Sequence, residues 1–256
     1  MADCYVAVDL ETTGLNPKMD RIIEIGAVKV ENLVVKEEFH CLIDPERKIG
    51  EFVENLTGIT DEMVKGGKKI GEALPDFLDF LGEAPLVGHN IMFDYSFLKR
   101  NVINAGGMFD RMGVDTLALV RLLLPALPKK TLPYVCEQLN IDTGTSHRAK
   151  DDARAAAYLY EYVKKNWKLE KALLEPRPLI YTIKKEVPAT LRQKEYLRAL
   201  AKYHKIELEF EIDNLTKNEA SRAIDGIISE HGKMNKTIFD EKVSPEEMRM
   251  VYDQYE

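Results

Sequence analysis

The sequence predicts an α/β fold followed by a small helical unit, and three observations carry that prediction. The first is an N-terminal block of three strand-like runs, joined by turns so short that the strands are most easily antiparallel neighbours. The second is a pair of places where a short apolar run empties into a helix, at Leu86-Val87-Gly88-His89-Asn90 and at Gly113-Val114-Asp115-Thr116. The third is a change of character beyond Trp167, where prolines punctuate the chain before capped helices resume.

Residues Tyr5 to Gly14 read as a buried strand that carries two carboxylates, Asp9 and Glu11. Strand side chains alternate faces, so both point to the same side. Such a pair is either a solvated strand end or part of a cation site, because buried like charges need a compensating ion. Thr12, Thr13 and Gly14 then end the strand with small groups able to donate hydrogen bonds to a ligand beside that ion. After a turn from Leu15 to Asp20, residues 21–30 read as a second strand, Asn32 sits in the next connection, and residues 33–43 read as a third. Asp44-Pro45 stops the run. From Glu51 the pattern is helical, with a glycine break at Gly58 and a fresh start at Thr60-Asp61. Ile70 to Leu81 is an amphipathic helix ended by Gly82.

The strand at Leu86 to Gly88 leads into a helix from about Ile91, on which Asn90 and Asp94 share a face. In an open α/β sheet, ligands bind past the carboxyl ends of strands, where these two would lie. Equally, Asn90 caps the helix and Asp94 favours its dipole. Asp115 reads as a cap or orienting group. Thr131 to Leu139 is a further helix, and Asn140 to His147 is a polar loop of the kind that carries function on a rigid scaffold. It delivers His147 just before a helix over about 150–165, whose first turn holds Asp151 and Asp152. Helix geometry alone does not choose between those two.

A chain of 256 residues holds one full core and a smaller second unit. Hydrophobic residues at 45% and charged ones at 31% exclude wholesale disorder. No apolar run reaches the roughly 18 to 20 residues of a membrane span, and the N-terminus lacks the basic flank of a signal peptide, so the expectation is a soluble, cytoplasmic protein. Cys4, Cys41 and Cys136 are widely spaced and indicate neither disulfides nor a zinc site. A net charge of −7 argues against gripping nucleic acid by bulk electrostatics, yet a carboxylate-built site with local phosphate contacts remains compatible with it.

Asp9-x-Glu11, then His89-Asn90-x-x-x-Asp94, then His147-x-x-x-x-Asp152 occur in that order with matching flanks. Over about residues 3 to 167 the chain resembles the DEDDh family of 3′ to 5′ exonucleases, and is similar to the proofreading subunit of the bacterial replicative polymerase. The resemblance implies a ribonuclease H-like fold, with a mixed five-stranded sheet flanked by helices. It implies two divalent ions, Mg²⁺ or Mn²⁺, held by Asp9, Glu11, Asp94 and Asp152, the spacing of five from the histidine favouring Asp152 over Asp151. His147 would take the proton from the attacking water, with Glu11 beside it in the catalytic set. Arg148 stands where the sister group has a tyrosine. Thr12, Thr13 and Leu15 would contact the terminal nucleotide, and His89, Asn90 and Phe93 would lie near its base or phosphate.

Residues 1–170 therefore read as an exonuclease domain, 171–188 as a proline-rich linker, and 189–256 as a small helical module with capping boxes at Thr190/Gln193, Thr216/Glu219 and Ser244/Glu247. The module weakly resembles SAP-like units, and a polymerase or other DNA-processing protein is a possible partner for it. The expected activity is metal-dependent release of nucleoside monophosphates from single-stranded or frayed DNA 3′ ends. The alternatives are an RNA 3′ exonuclease of the same chemistry, or a non-catalytic nucleic-acid or polymerase-binding module.

Overall fold

The computed structural model describes residues 4–142, 148–168, 170–183 and 187–234. The chain divides into two compact units, residues 1–185 and 186–256.

The first unit opens with β1 (Cys4–Thr12), β2 (Ile22–Glu31) and β3 (Val34–Asp44), which pair antiparallel in sequence order. The β2–β3 turn puts both Asn32 and Leu33 at positive φ, the signature of a two-residue hairpin loop whose twist matches its strands. Two short helices follow, α1 (Glu51–Thr57) and α2 (Asp61–Val64), separated by Gly58 in the left-handed conformation and started afresh by the Thr60 side chain, which accepts from the Met63 N–H. The edge strand β4 (Lys68–Lys69) leads into α3 (Ile70–Leu81), which ends at Gly82. Then come β5 (Leu86–Gly88), α4 (Ile91–Asn104), β6 (Met112–Asp115), α5 (Thr116–Leu123), α6 (Leu132–Leu139) and α7 (Ala149–Asn166).

The sheet has the order β4-β3-β2-β1-β5-β6-β7, with β7 formed by Arg177–Pro178. The five strands expected from the sequence make its centre, mixed in direction because β5 and β6 run parallel to β1. Two residues at each edge complete it. Part of the stretch read as linker belongs to this unit: residues 171–174 form the short helix α8, Leu174 is buried in the core, and Arg177–Pro178 pairs with β6. Proline lacks an N–H, and an edge strand is where a sheet tolerates that. Pro178, which looks like linker punctuation, here finishes the sheet.

Alternation along β1 sorts its side chains into two cores. Tyr5 and Ala7 face a layer made by α5, α6 and the alanine-rich side of α7, including Ala155, Ala156, Ala157, Leu159 and Tyr160. Val6, Val8 and Leu10 face α3 and α4 through Phe77, Leu81, Ile91, Tyr95 and Phe97. At about 25 cal/mol per Å² of apolar area removed from water, these two layers supply most of the driving force for folding.

The second unit contains α9 (Leu191–His204) and α10 (Lys217–His231), joined by an irregular acidic stretch and a 3-10 turn at Ile212–Asn214. The capping boxes at Thr190/Gln193 and Thr216/Glu219 are formed, and Leu197, Leu200, Leu215, Ala220 and Ile227 make a separate small core. The third box, at Ser244, lies outside the described residues. Among the described residues, no helix is long and apolar enough to cross a membrane.

Candidate active site

Asp9 and Glu11 stand half-buried near the carboxyl end of β1, on the face that looks toward α7. Across the β1–β2 ladder, Asp9 lies opposite Gly26 and Glu11 opposite Glu24. The start of α7 rests on Gly26 so closely that a Cβ there would come within 2.1 Å of the Ala149 carbonyl carbon and the Lys150 nitrogen. That approach brings Asp152, in the first turn of α7, against β1. One carboxylate oxygen from each of Asp9, Glu11 and Asp152 lies within 4.8 Å of the others.

Asp94 enters from the other layer, at the start of α4. β5 ends at Gly88 while β1 runs on to Thr12. The buried Asp94 supplies an acceptor there, its Oδ1 taking the Leu10 N–H at 3.0 Å. One oxygen is thus committed to the backbone, and Asp94 is not among the three carboxylates whose oxygens converge.

Burial and crowding push these carboxylates toward their neutral forms. Asp9 is raised well above the usual range by burial, and then by the charges of Asp94, Asp152, Glu11 and Glu24. Asp94 is raised mainly by burial. Glu11 is raised to about 7 by burial, Asp152 and Glu24, with Arg148 opposing. A divalent cation reverses this logic, since it favours the ionised forms. The donors are all hard carboxylate oxygens, the set that suits Mg²⁺ or Mn²⁺.

The residues expected around a terminal nucleotide fall into two groups. Leu15 is 84% exposed on the β1–β2 turn, and Asn90 is exposed in a left-handed conformation, its N–H held by Asp115 Oδ1 at 2.9 Å. Both are accessible. The others have structural partners. Thr12 Oγ1 donates to the Gly14 carbonyl at 2.6 Å, and Thr13 Oγ1 accepts from the Arg21 N–H at 3.0 Å. His89 uses both ring nitrogens, Nδ1 with Thr116 Oγ1 at 3.0 Å and Nε2 with the Lys130 carbonyl at 2.6 Å, and its pKa is lowered by burial. Phe93 packs beside Phe97. Asp115 caps α5 by accepting from the Leu117 N–H, and Asn90 makes no side-chain cap. His147 lies outside the described residues, and its chain neighbour Arg148 is the N-cap of α7.

A family model described as an exonuclease, RNase_T, matches residues 6–160, a span that contains all four carboxylates and His147. The chain belongs to the RNase_T exonuclease family. Its relatives in that family include the PolC-type DNA polymerase III of Clostridium perfringens, 40% identical over 177 residues, and that of Thermotoga maritima, 43% identical over 157 residues. These matches take in 69% and 61% of this exonuclease-family chain but only 12% and 11% of the relatives. The fold is similar to that of Escherichia coli exonuclease I in complex with a dT13 oligonucleotide, with TM-score 0.58, 18% identity, and coverage of 64% of this chain and 41% of that one. It is equally similar to the nuclease domain of 3′hExo, a DEDDh family member bound to rAMP, with TM-score 0.58, 20% identity, and coverage of 69% and 96%. The resemblance drawn from the three motifs is borne out at the level of family and fold.

Glu24, Gly26 and Arg148 are site residues that the motifs did not single out. One signal was present: Glu24 interrupts the apolar run from Ile22 to Val28, and a polar residue inside such a run is the informative exception.

Proposed function

We propose that this chain is a metal-dependent 3′ to 5′ exonuclease that hydrolyses phosphodiester bonds at DNA 3′ ends and releases nucleoside monophosphates. One observation carries the reading: Asp9, Glu11 and Asp152 converge within 4.8 Å in a member of an exonuclease family. Mg²⁺ or Mn²⁺, bound as a pair by Asp9, Glu11, Asp94 and Asp152, would supply Lewis-acid stabilisation at the scissile phosphate.

The chain's own residues perform the rest. Asp94 closes the end of the β1 ladder and keeps that strand in register for its carboxylates. Glu11, held near neutrality in its proton affinity, gives up its proton readily when a cation arrives. His147 accepts a proton from the attacking water, a task suited to an imidazole near neutral pH. Leu15 and Asn90 offer accessible contacts to the terminal nucleotide. The polymerase III relatives favour DNA as substrate, with proofreading, repair or end trimming as the setting.

The test follows nucleotides released from DNA and RNA oligomers of matched sequence, labelled at the 3′ or 5′ end, with Mg²⁺, Mn²⁺ or chelator. Early release of 3′-terminal monophosphate from DNA is expected, abolished by chelator and by Asp9→Asn. Full activity in Asp9→Asn would refute the site, and preference for RNA would change the substrate.

A further inference from the structure

Glu24 is a fully buried carboxylate with no part in the hydrolytic roles above. It lies directly across the ladder from Glu11, where like charges repel, and an apolar side chain would cost less to bury. Its partners explain its presence. Glu24 Oε1 accepts from Arg148 Nη2 at 2.8 Å and Nε at 3.2 Å, and meets Nε2 of His40 at 2.6 Å. Oε2 accepts from the Ala149 N–H at 2.9 Å.

Two of these partners are the N-cap and first residue of α7. The Asp152 N–H donates to the Arg148 carbonyl at 3.0 Å, so Asp152 is built directly on the residue that Glu24 grips. Gly26, two residues along the same face of β2, allows the helix backbone to touch the sheet. The pair forms a socket: a buried charge latches the helix start, and a missing side chain sets its depth. We propose that Glu24 is a positioning residue which, through Arg148 and the Ala149 N–H, seats the first turn of α7 and thereby sets Asp152 against Asp9 and Glu11. This rests on the exonuclease reading and extends it from the ligands to the group that places them.

The test compares the full chain with Glu24→Gln and Arg148→Met by Mn²⁺ titration calorimetry, oligonucleotide kinetics and thermal unfolding. Partners that orient metal ligands typically contribute 10- to 100-fold in affinity or activity. Both variants should weaken Mn²⁺ binding and lower kcat by about that factor with KM for the oligonucleotide unchanged, and the double variant should lose little more than either single one. Should Glu24→Gln fail to fold, Arg148→Met, which removes only a partly exposed side chain, decides the matter. Variants that melt earlier yet bind Mn²⁺ and turn over like the parent overturn the proposal and leave Glu24 a purely structural group. A parent that binds Mn²⁺ but releases no nucleotide refutes the exonuclease reading alone, because the relative Mn²⁺ affinities still decide the seating role. A parent that binds no Mn²⁺ overturns both.

Discussion

At the scale of single residues, the site is a set of carboxylates held in an arrangement that the protein alone disfavours. Glu11 shows the consequence most directly. Its proton affinity rises from an ordinary value of 4.5 to about 7 on folding without metal, so between those pH values the folded chain binds more protons than the unfolded one. Stability of the metal-free protein is therefore fully supported below about pH 4.5 as far as this group is concerned, and falls as pH rises toward 7. Added Mn²⁺ should remove that loss, so the increase in Tm on adding Mn²⁺ should be larger at pH 8 than at pH 5. Melting curves with chelator and with Mn²⁺ at the two pH values test this, and an equal increase at both would contradict it. The carboxylates themselves were legible in the sequence, because period-two spacing in β1 and the ordered motifs identify them. The group opposite them was not, since pairing Glu11 with Glu24 depends on strand register, which one strand's pattern does not state.

At the scale of elements, most boundaries follow local chemistry. Thr60, Thr190 and Thr216 start helices, Gly58 and Gly82 end them, and the sequence announces each. The exceptions are elements of a few residues, such as β4, α8 and β7, which are too short to show a period and exist because a neighbour offers an edge. The β2–β3 turn carries a local misfit. Leu33 is 69% exposed and holds φ at 69°, a conformation that costs a side-chain-bearing residue about 1 kcal/mol. Asn-Gly is the preferred dipeptide for such a loop. Leu33→Gly should therefore stabilise the protein by about 0.5 kcal/mol after the larger unfolded-state entropy of glycine is counted, raising Tm by about 1–2 °C. Calorimetry would show it, and a lower Tm would mean that Leu33 packs better than its exposure indicates.

At the scale of the whole molecule, the two units each have their own core, and the carboxylate cluster is built entirely within the first. We expect residues 1–185 expressed alone to melt cooperatively and to release nucleotides at the rate of the full chain. A truncated form that folds but is inactive would show that the second unit completes the site. Within the first unit, β1 supplies Asp9 and Glu11 from the middle of the sheet and α7 supplies Asp152 from one layer, while Asp94, the fourth ligand of the proposed site, stands on α4 in the opposite layer. Each layer could in principle detach while the other stays packed, as cooperative subunits of a fold do in sub-global openings. On the proposed four-carboxylate site, an ion held jointly by all three levels would be lost in either event and would bind only the form in which both layers are closed. By mass action it would then suppress both openings to the same extent. In amide hydrogen exchange, the cation would act as a rivet through the sandwich, slowing exchange in α3 and α4 as much as in α6 and α7, although it touches only a few side chains at one end of the sheet.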